Sequence, residues 1–182
     1  MESLAAEFGH PTYTSFPVIV ARLLLASLFG AAIGFEREWR NRPAGLRTHI
    51  LVCVAAAAFA ILTIEIAHAP MFEKDTARFD PIRIVEAVTA GVAFLAAGVV
   101  IFTRGEVHGL TTGAGMWLAG AIGVASGLGF WQIALLATLI ALVVLGLLHI
   151  FESSGALAGG SPADKGKPKA GSADSGKGRP AR

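Results

Sequence analysis

The sequence predicts an all-α, polytopic membrane protein built as a bundle of five transmembrane helices. Hydrophobic residues make up 54% of the 182 residues and charged residues only 15%, and the mean hydropathy is +0.63. The charges gather in short clusters at 36–47, 68–83 and 104–108 and again after residue 150, with long apolar runs between them. A typical soluble domain carries about 25% charged residues. This pattern therefore excludes a water-soluble globular fold.

Five apolar windows are long enough to cross ~30 Å of hydrocarbon as helices. In chain order they are Phe16–Phe35, Thr48–Ala67, Ile84–Thr103, Gly109–Leu128 and Trp131–Ile150. Gly, Thr and Ser residues dilute the hydropathy of the fourth window, where a re-entrant segment is the alternative to a full span. Only Gly129 and Phe130 separate the last two windows, which predicts a tight antiparallel helical hairpin. Thr48 is placed to cap the second helix.

The distribution of Lys and Arg predicts the orientation, because cytoplasmic loops carry an excess of both. Eleven basic residues lie in 36–47, 104–108 and the C-terminal segment, and three lie on the opposite side. We therefore expect the N-terminus outside and the C-terminus in the cytoplasm. The predicted domains are an external tail over 1–15, a transmembrane domain over 16–150 and a disordered, basic cytoplasmic tail over 151–182. Residues 1–17 contain no Lys or Arg, so the first apolar run is expected to be retained and not cleaved as a signal peptide.

A charged loop follows the first window. Glu36 and Arg40 have the i, i+4 spacing of an ion pair on a helix, and Pro43 and Gly45 are expected to end that helix. Four arginines in 36–47 have two interpretations. They can simply obey the positive-inside rule, or they can form a face that binds a partner or an anion. The 104–112 segment lies on the same side of the membrane and could complete such a face.

Three charges fall inside the apolar windows. Arg22, Glu65 and Glu86 are placed at similar depth near the outer surface on three different helices. Charges inside a bilayer are costly and are usually paired or functional. One interpretation is an interhelical ion pair with the second Glu facing water, and the other is a small cation site near the outer leaflet. Glu65 and His68 have the i, i+3 spacing of helical-bundle metal sites, but the chain has no second such pair, so the identity of any metal stays open.

Small residues recur every four positions in two windows. Gly30 and Gly34 form GxxxG in the first, and a ridge of Gly115, Ala119, Gly123 and Gly127 runs along the fourth. Such ridges let helices approach closely in lipid, so we expect packing within the bundle, with homo-oligomerisation as a second possibility. The sequence contains no phosphate-binding loop, HExxH or GxSxG motif. We therefore expect no enzymatic activity and no cofactor. The net charge of +2 comes largely from the C-terminal tail, so we expect no nucleic-acid partner.

Several motifs occur in one order along the chain. They are Gly30-Ala-Ala-Ile-Gly34-Phe-Glu36-Arg37-Glu38 with Arg42-Pro-Ala-Gly-Leu-Arg47-Thr48-His49, then Gly91-Val-Ala-Phe-Leu-Ala-Ala-Gly98, and then His108-Gly-Leu-Thr111-Thr112-Gly-Ala-Gly-Met-Trp117. Together they resemble the bacterial MgtC/SapB family over about 22–148. The resemblance implies a five-span domain in the bacterial inner membrane. The family commonly has Gly where this chain has Ala93 and Ala96.

The resemblance also implies a function. The family is associated with magnesium limitation and with survival inside host cells, and its members are regarded as regulators that act through membrane-protein partners, among them ATP synthase. We therefore expect a virulence-associated inner-membrane protein of magnesium or envelope homeostasis that contacts the lipid bilayer and other membrane proteins. Its expected functional cytoplasmic face consists of Glu36, Arg37, Gly45, Arg47, Thr48, His49, Thr111 and Thr112. The alternative is a small Mg²⁺ transporter that uses the outer carboxylates, Glu65 and Glu86.

Overall fold

The computed structural model describes residues 12–69, 80, 82–103 and 106–153 of the chain. These residues form five α-helices. The helices are α1 Phe16–Trp39, α2 Leu46–Ala67, α3 Ile82–Val99, α4 Leu110–Leu128 and α5 Trp131–Ser153. Between α3 and α4 lies an antiparallel hairpin of β1 Ile101–Thr103 and β2 Glu106–His108. The predicted tails over 1–15 and 151–182 fall mostly outside the described residues.

Three of the helices, α1, α2 and α3, are long and apolar enough to cross a membrane. The apolar stretch of α5 is shorter and runs from Trp131 to Leu147. The all-α class predicted from hydropathy is confirmed, and the chain is a multi-pass membrane protein.

Helix α4 is the centre of the bundle. It packs against each of the other four helices, and about every second residue along it is buried. The same Gly and Ser residues that dilute its hydropathy are the ones that allow this packing, because small side chains let neighbouring backbones come close. A central helix meets protein on most sides, so its low hydropathy is consistent with its position.

The glycine ridges pack within the bundle, as predicted. A methyl group on Gly30 would lie 2.7 Å from the carbonyl oxygen of His49, and one on Gly34 would lie 2.7 Å from the Cα of Leu46. Gly123 and Gly127 of α4 are even closer to the α2 backbone, at the carbonyl oxygens of Cys53 and Ala57. Both ridges therefore bring α1 and α4 against the same helix, α2.

Helix α1 continues beyond the first predicted window into the charged segment. Asn41, with φ of 52°, is left-handed, and the amides of Asn41 and Arg42 donate to the carbonyls of Glu38 and Arg37 at 3.0 and 3.1 Å. This is the Schellman arrangement that commonly ends helices. Asn41 ends the helix two residues before Pro43, so the prediction that Pro43 and Gly45 end it is corrected.

The prediction that Thr48 caps α2 is wrong. Helix α2 begins at Leu46 with Gly45 at the N-cap, so Thr48 lies within its first turn. The Glu38 carboxylate supplies the cap instead, since its Oε2 accepts the amide of Leu46 at 3.0 Å. A side chain on Gly45 would collide with that carboxylate. Gly45 therefore provides the room for the cap.

The third predicted window, Ile84–Thr103, extends too far as a helix. Helix α3 ends at Val99, and residues 101–103 form β1, in which Ile101 pairs with His108. Hydropathy cannot distinguish a short apolar strand from a helix end. The β-branched run from Val99 to Ile101 favours the extended conformation.

The tight hairpin between α4 and α5 is confirmed. Gly129 adopts a left-handed conformation with φ of 90°, and the amide of Phe130 donates to the carbonyl of Ala125 at 2.8 Å. Glycine tolerates positive φ without steric cost. The two-residue connection therefore reverses the chain directly after α4.

Candidate functional site

Three polar side chains meet where α1, α2 and α4 converge. Arg37 of α1, His49 of α2 and Thr112 of α4 expose only 3%, 0% and 2% of their surfaces. The Nη2 of Arg37 donates to the Oγ1 of Thr112 at 3.1 Å. We call these three residues the polar core of the site, and the end of the bundle that holds them the arginine-rich end.

Two glycines make room for the polar core. A methyl group on Gly34 would lie 3.1 Å from the Cβ of His49, and one on Gly115 would lie 3.4 Å from its Nε2. These contacts place the imidazole between α1 and α4. The sequence signal for this arrangement is the pair of glycine ridges, since each ridge contributes one of the two residues.

The hydrogen bonds of His49 define its tautomer. Its Nδ1 lies 2.9 Å from the carbonyl oxygen of Gly45, which can only accept, so Nδ1 carries the proton. In the neutral ring Nε2 is then an acceptor, and it has no partner among the described residues. The Nε of Arg37 is likewise a donor without a partner in that part of the chain. Two buried nitrogens of the polar core, the acceptor Nε2 of His49 and the donor Nε of Arg37, thus have no partner among the described residues.

The predicted ion pair of Glu36 and Arg40 is present on the last turn of α1, with the Nε of Arg40 against the carboxylate of Glu36. It lies next to Arg37 in the chain. The Glu38 carboxylate caps α2, whereas both oxygens of Glu36 are buried and accept no hydrogen bond within the described ranges.

The eight residues predicted as one functional face divide into three groups by burial. Arg37, His49 and Thr112 are buried, whereas Arg47 and Thr111 are exposed. The remaining three, Glu36, Gly45 and Thr48, are partly buried. Successive helical residues point about 100° apart, so neighbours such as Thr111 and Thr112 face opposite surroundings. The prediction of a single surface is therefore corrected to a buried core with a separate exposed rim.

Two large apolar side chains are exposed beside Arg47 and Thr111. Trp39 at the end of α1 is 78% exposed and Leu110 at the start of α4 is 62% exposed. Both lie at the arginine-rich end with Arg47 and Thr111. We call these four residues the rim.

The structure gives Arg22, Glu65 and Glu86 separate surroundings, and no ion pair joins Arg22 to either carboxylate. Arg22 Nη1 donates to the carbonyl of Gly127 at 2.9 Å. Glu86 is exposed on α3. The predicted intramembrane cluster is therefore not held together by charge pairing. Backbone carbonyl acceptors such as that of Gly127 leave no signal in a sequence.

Glu65 instead holds the segment that precedes α1. Its two oxygens accept the amides of Tyr13 and Thr14 at 2.7 and 3.0 Å. The Tyr13 ring stacks on His68 with centroids 3.7 Å apart, and the Nδ1 of His68 lies 2.8 Å from the carbonyl oxygen of Ile64. The i, i+3 pair of Glu65 and His68 thus fixes the chain before α1. The i, i+3 spacing is visible in the sequence, but the backbone amides that Glu65 binds are not.

No group of three or more His, Cys, Asp or Glu side chains within the described ranges is arranged to hold a metal ion. The polar core itself contains one imidazole, one guanidinium and one hydroxyl. Its chemistry is that of hydrogen bonding and helix positioning.

Comparison with known proteins decides the family. The profile of the MgtC family matches residues 23–154, which include the whole polar core. The chain belongs to the MgtC family. The matched region also covers the rim and excludes Arg22.

Several curated relatives resemble this MgtC-family chain. It is 42% identical to "Protein MgtC" of Salmonella typhimurium over 127 residues, which cover 70% of this chain and 50% of the relative. It is 36% identical to the "Putative magnesium transporter YhiD" of Escherichia coli K12 over 130 residues, which cover 71% of this chain and 60% of the relative. The chain thus spans between half and three-fifths of the length of these relatives. No solved structure matches it.

Proposed function

We propose that this MgtC-family chain is a five-span protein of the bacterial inner membrane, with its N-terminus outside and its arginine-rich end in the cytoplasm. All five helices are roughly 27–36 Å long at 1.5 Å per residue, which is close to the ~30 Å thickness of the hydrocarbon core. The excess of Lys and Arg on one side supports the orientation.

The proposed role is non-enzymatic: the chain acts in magnesium and envelope homeostasis by contacting another membrane protein. The observation that carries this proposal is the pairing of a buried polar core with an exposed rim. The buried bond between Arg37 and Thr112 ties α1 to α4, and the rim presents Trp39 at the end of α1 and Arg47 at the start of α2. Trp and Arg are the residue types enriched at the energetic centres of protein interfaces. The names of the relatives supply the link to magnesium.

Magnesium transport is the second candidate, and the name of the Escherichia coli relative, "Putative magnesium transporter YhiD", favours it. Its ligands would be the outer carboxylates. Both oxygens of Glu65 already accept backbone amides, so Glu86 is the carboxylate available for such a role. Mg²⁺ keeps several waters and can be bound by one or two carboxylates.

One pair of variants separates the two functions. The test is growth in low magnesium of a strain that lacks its own copy of this protein and carries either Arg47→Ala or Glu86→Ala. Both residues are exposed and lie on different helices. The proposed role predicts that Arg47→Ala loses growth at normal protein level, that Arg47→Lys restores part of it and that Glu86→Ala grows normally. Transport predicts the reverse, together with saturable Mg²⁺ entry into liposomes that is lost in Glu86→Ala.

A further inference from the structure

The polar core contains two nitrogens that its own side chains leave unused. The Nε2 of His49 and the Nε of Arg37 are buried and have no hydrogen-bond partner in the described part of the chain. The large majority of buried side-chain polar atoms in native proteins bond either to protein or to ordered water. Here one nitrogen accepts a hydrogen bond and the other donates one, which defines the chemistry of a ligand that satisfies both.

The two side chains lie between α1 and α4, about one helical turn apart. The imidazole of His49 lies at the level of Gly34 and Gly115, since methyl groups on these glycines would lie 3.1 Å from its Cβ and 3.4 Å from its Nε2. The bond from Arg37 to Thr112 joins the same two helices three residues nearer the arginine-rich end. Three helical residues rise about 4.5 Å. A molecule that makes two hydrogen bonds of about 2.9 Å each reaches across this rise.

Gly115 leaves space beside the imidazole. Outside the backbone of α4 and the two chain neighbours of Gly115, the Nε2 of His49 is the one described atom within 4 Å of a methyl group built there. At Gly123, two turns along the same ridge, a methyl group would collide with the carbonyl oxygen of Cys53. The ridge is therefore open beside the unpartnered acceptor and closed further along α4.

We propose that the polar core binds one structural water molecule, which donates to the Nε2 of His49 and accepts from the Nε of Arg37. The lone pair of Nε2 disfavours an anion at this place, and the guanidinium of Arg37 disfavours a cation. The ligand that fits is a small neutral molecule with both a donor and an acceptor. A buried water typically makes two to four hydrogen bonds, and the two nitrogens supply two of them.

The water completes a network across three helices. Within the described ranges the side chain of His49 bonds only to Gly45 at the start of its own helix, α2. The bond between Arg37 and Thr112 joins α1 to α4. The water connects α2 to that bond, so hydrogen bonds hold the ends of all three helices together.

Position 115 offers a matched pair of variants. The methyl group of Gly115→Ala would lie 3.4 Å from the Nε2 of His49, in ordinary van der Waals contact. It therefore takes up the space beside the acceptor without supplying a donor. The hydroxyl of Gly115→Ser supplies a donor at the same place and can bond to Nε2 instead of the water. Gly98→Ala is the control, because its methyl group on α3 meets nothing within 4 Å.

The experiment is solid-state NMR of the full chain in phospholipid bilayers, with ¹⁵N-labelled histidine. The signals of His49 are assigned by their loss in His49→Gln. In wild type and Gly98→Ala we expect a neutral ring protonated at Nδ1, an Nε2 resonance shifted by an accepted hydrogen bond, and magnetisation transfer from water to Nε2. Gly115→Ala is expected to lose both the shift and the transfer, and Gly115→Ser to regain the shift.

Three outcomes would overturn the proposal. A wild-type Nε2 with the resonance of a free acceptor and no transfer from water shows that the polar core is dry. A wild-type ring protonated on both nitrogens shows that Nε2 donates and accepts nothing. A Gly115→Ala spectrum identical to that of wild type shows that no water lies beside Gly115.

Discussion

Arg37 of α1 and Thr112 of α4 lie 75 positions apart in the chain and form a buried hydrogen bond of 3.1 Å. The bond joins two of the motifs that carry the family resemblance. A buried guanidinium needs a hydrogen-bond partner, and here Thr112 supplies one from another helix. The polar core that contains this bond fixes the helix ends on which the rim is displayed.

The variant Thr112→Val tests the bond directly. Valine has a similar shape but no acceptor for Arg37, so we expect a loss of about 1.5–3 kcal/mol in the free energy of unfolding. The control is Thr111→Val, whose side chain is exposed and should change stability by less than about 0.5 kcal/mol. Denaturant titrations in micelles measure both. Equal losses in the two variants would show that the Arg37 bond does not stabilise the fold.

The close approach of α1 and α2 can be tested at Gly34. A methyl group there would lie 2.7 Å from the Cα of Leu46, so Gly34→Ala forces the two helices apart. We expect a cost of about 1–3 kcal/mol from overpacking. Gly98→Ala is the matched control, because its methyl group meets open space and alanine favours the helix. A Gly34→Ala protein as stable as Gly98→Ala would contradict the observed packing.

The segment before α1 should depend on Glu65. Glu65→Ala removes the acceptor for the amides of Tyr13 and Thr14. We therefore expect faster hydrogen exchange at both amides, because exchange reports local opening. Glu86→Ala is the control, since Glu86 lies exposed on α3. Unchanged exchange in Glu65→Ala would mean that the Tyr13–His68 stack alone holds the segment.

Much of the helical fold follows from the sequence. Apolar length predicts all five helices, the spacing of Glu36 and Arg40 predicts their ion pair, and the glycine ridges predict where helices touch. These features depend on local periodicity. The β1–β2 hairpin was missed because apolar β-branched residues suit both a helix end and a strand.

The site was less predictable than the fold. The motif residues were found, but their division into a buried core and an exposed rim depends on which face of each helix meets α4. Thr111 and Thr112 are adjacent in sequence and opposite in burial, so composition cannot separate them. The partners of Arg22 and Glu65 are backbone groups, which every residue possesses and no sequence pattern distinguishes.

The most direct test of the central claim is site-specific photocrosslinking in cells starved of magnesium. A photoreactive amino acid replaces either Thr111, an exposed residue of the rim, or Phe94, which is 81% exposed on α3. The proposed function predicts a covalent adduct with another membrane protein from position 111 and none from position 94. Adducts from neither position, or equally from both, would contradict a partner bound at the arginine-rich end.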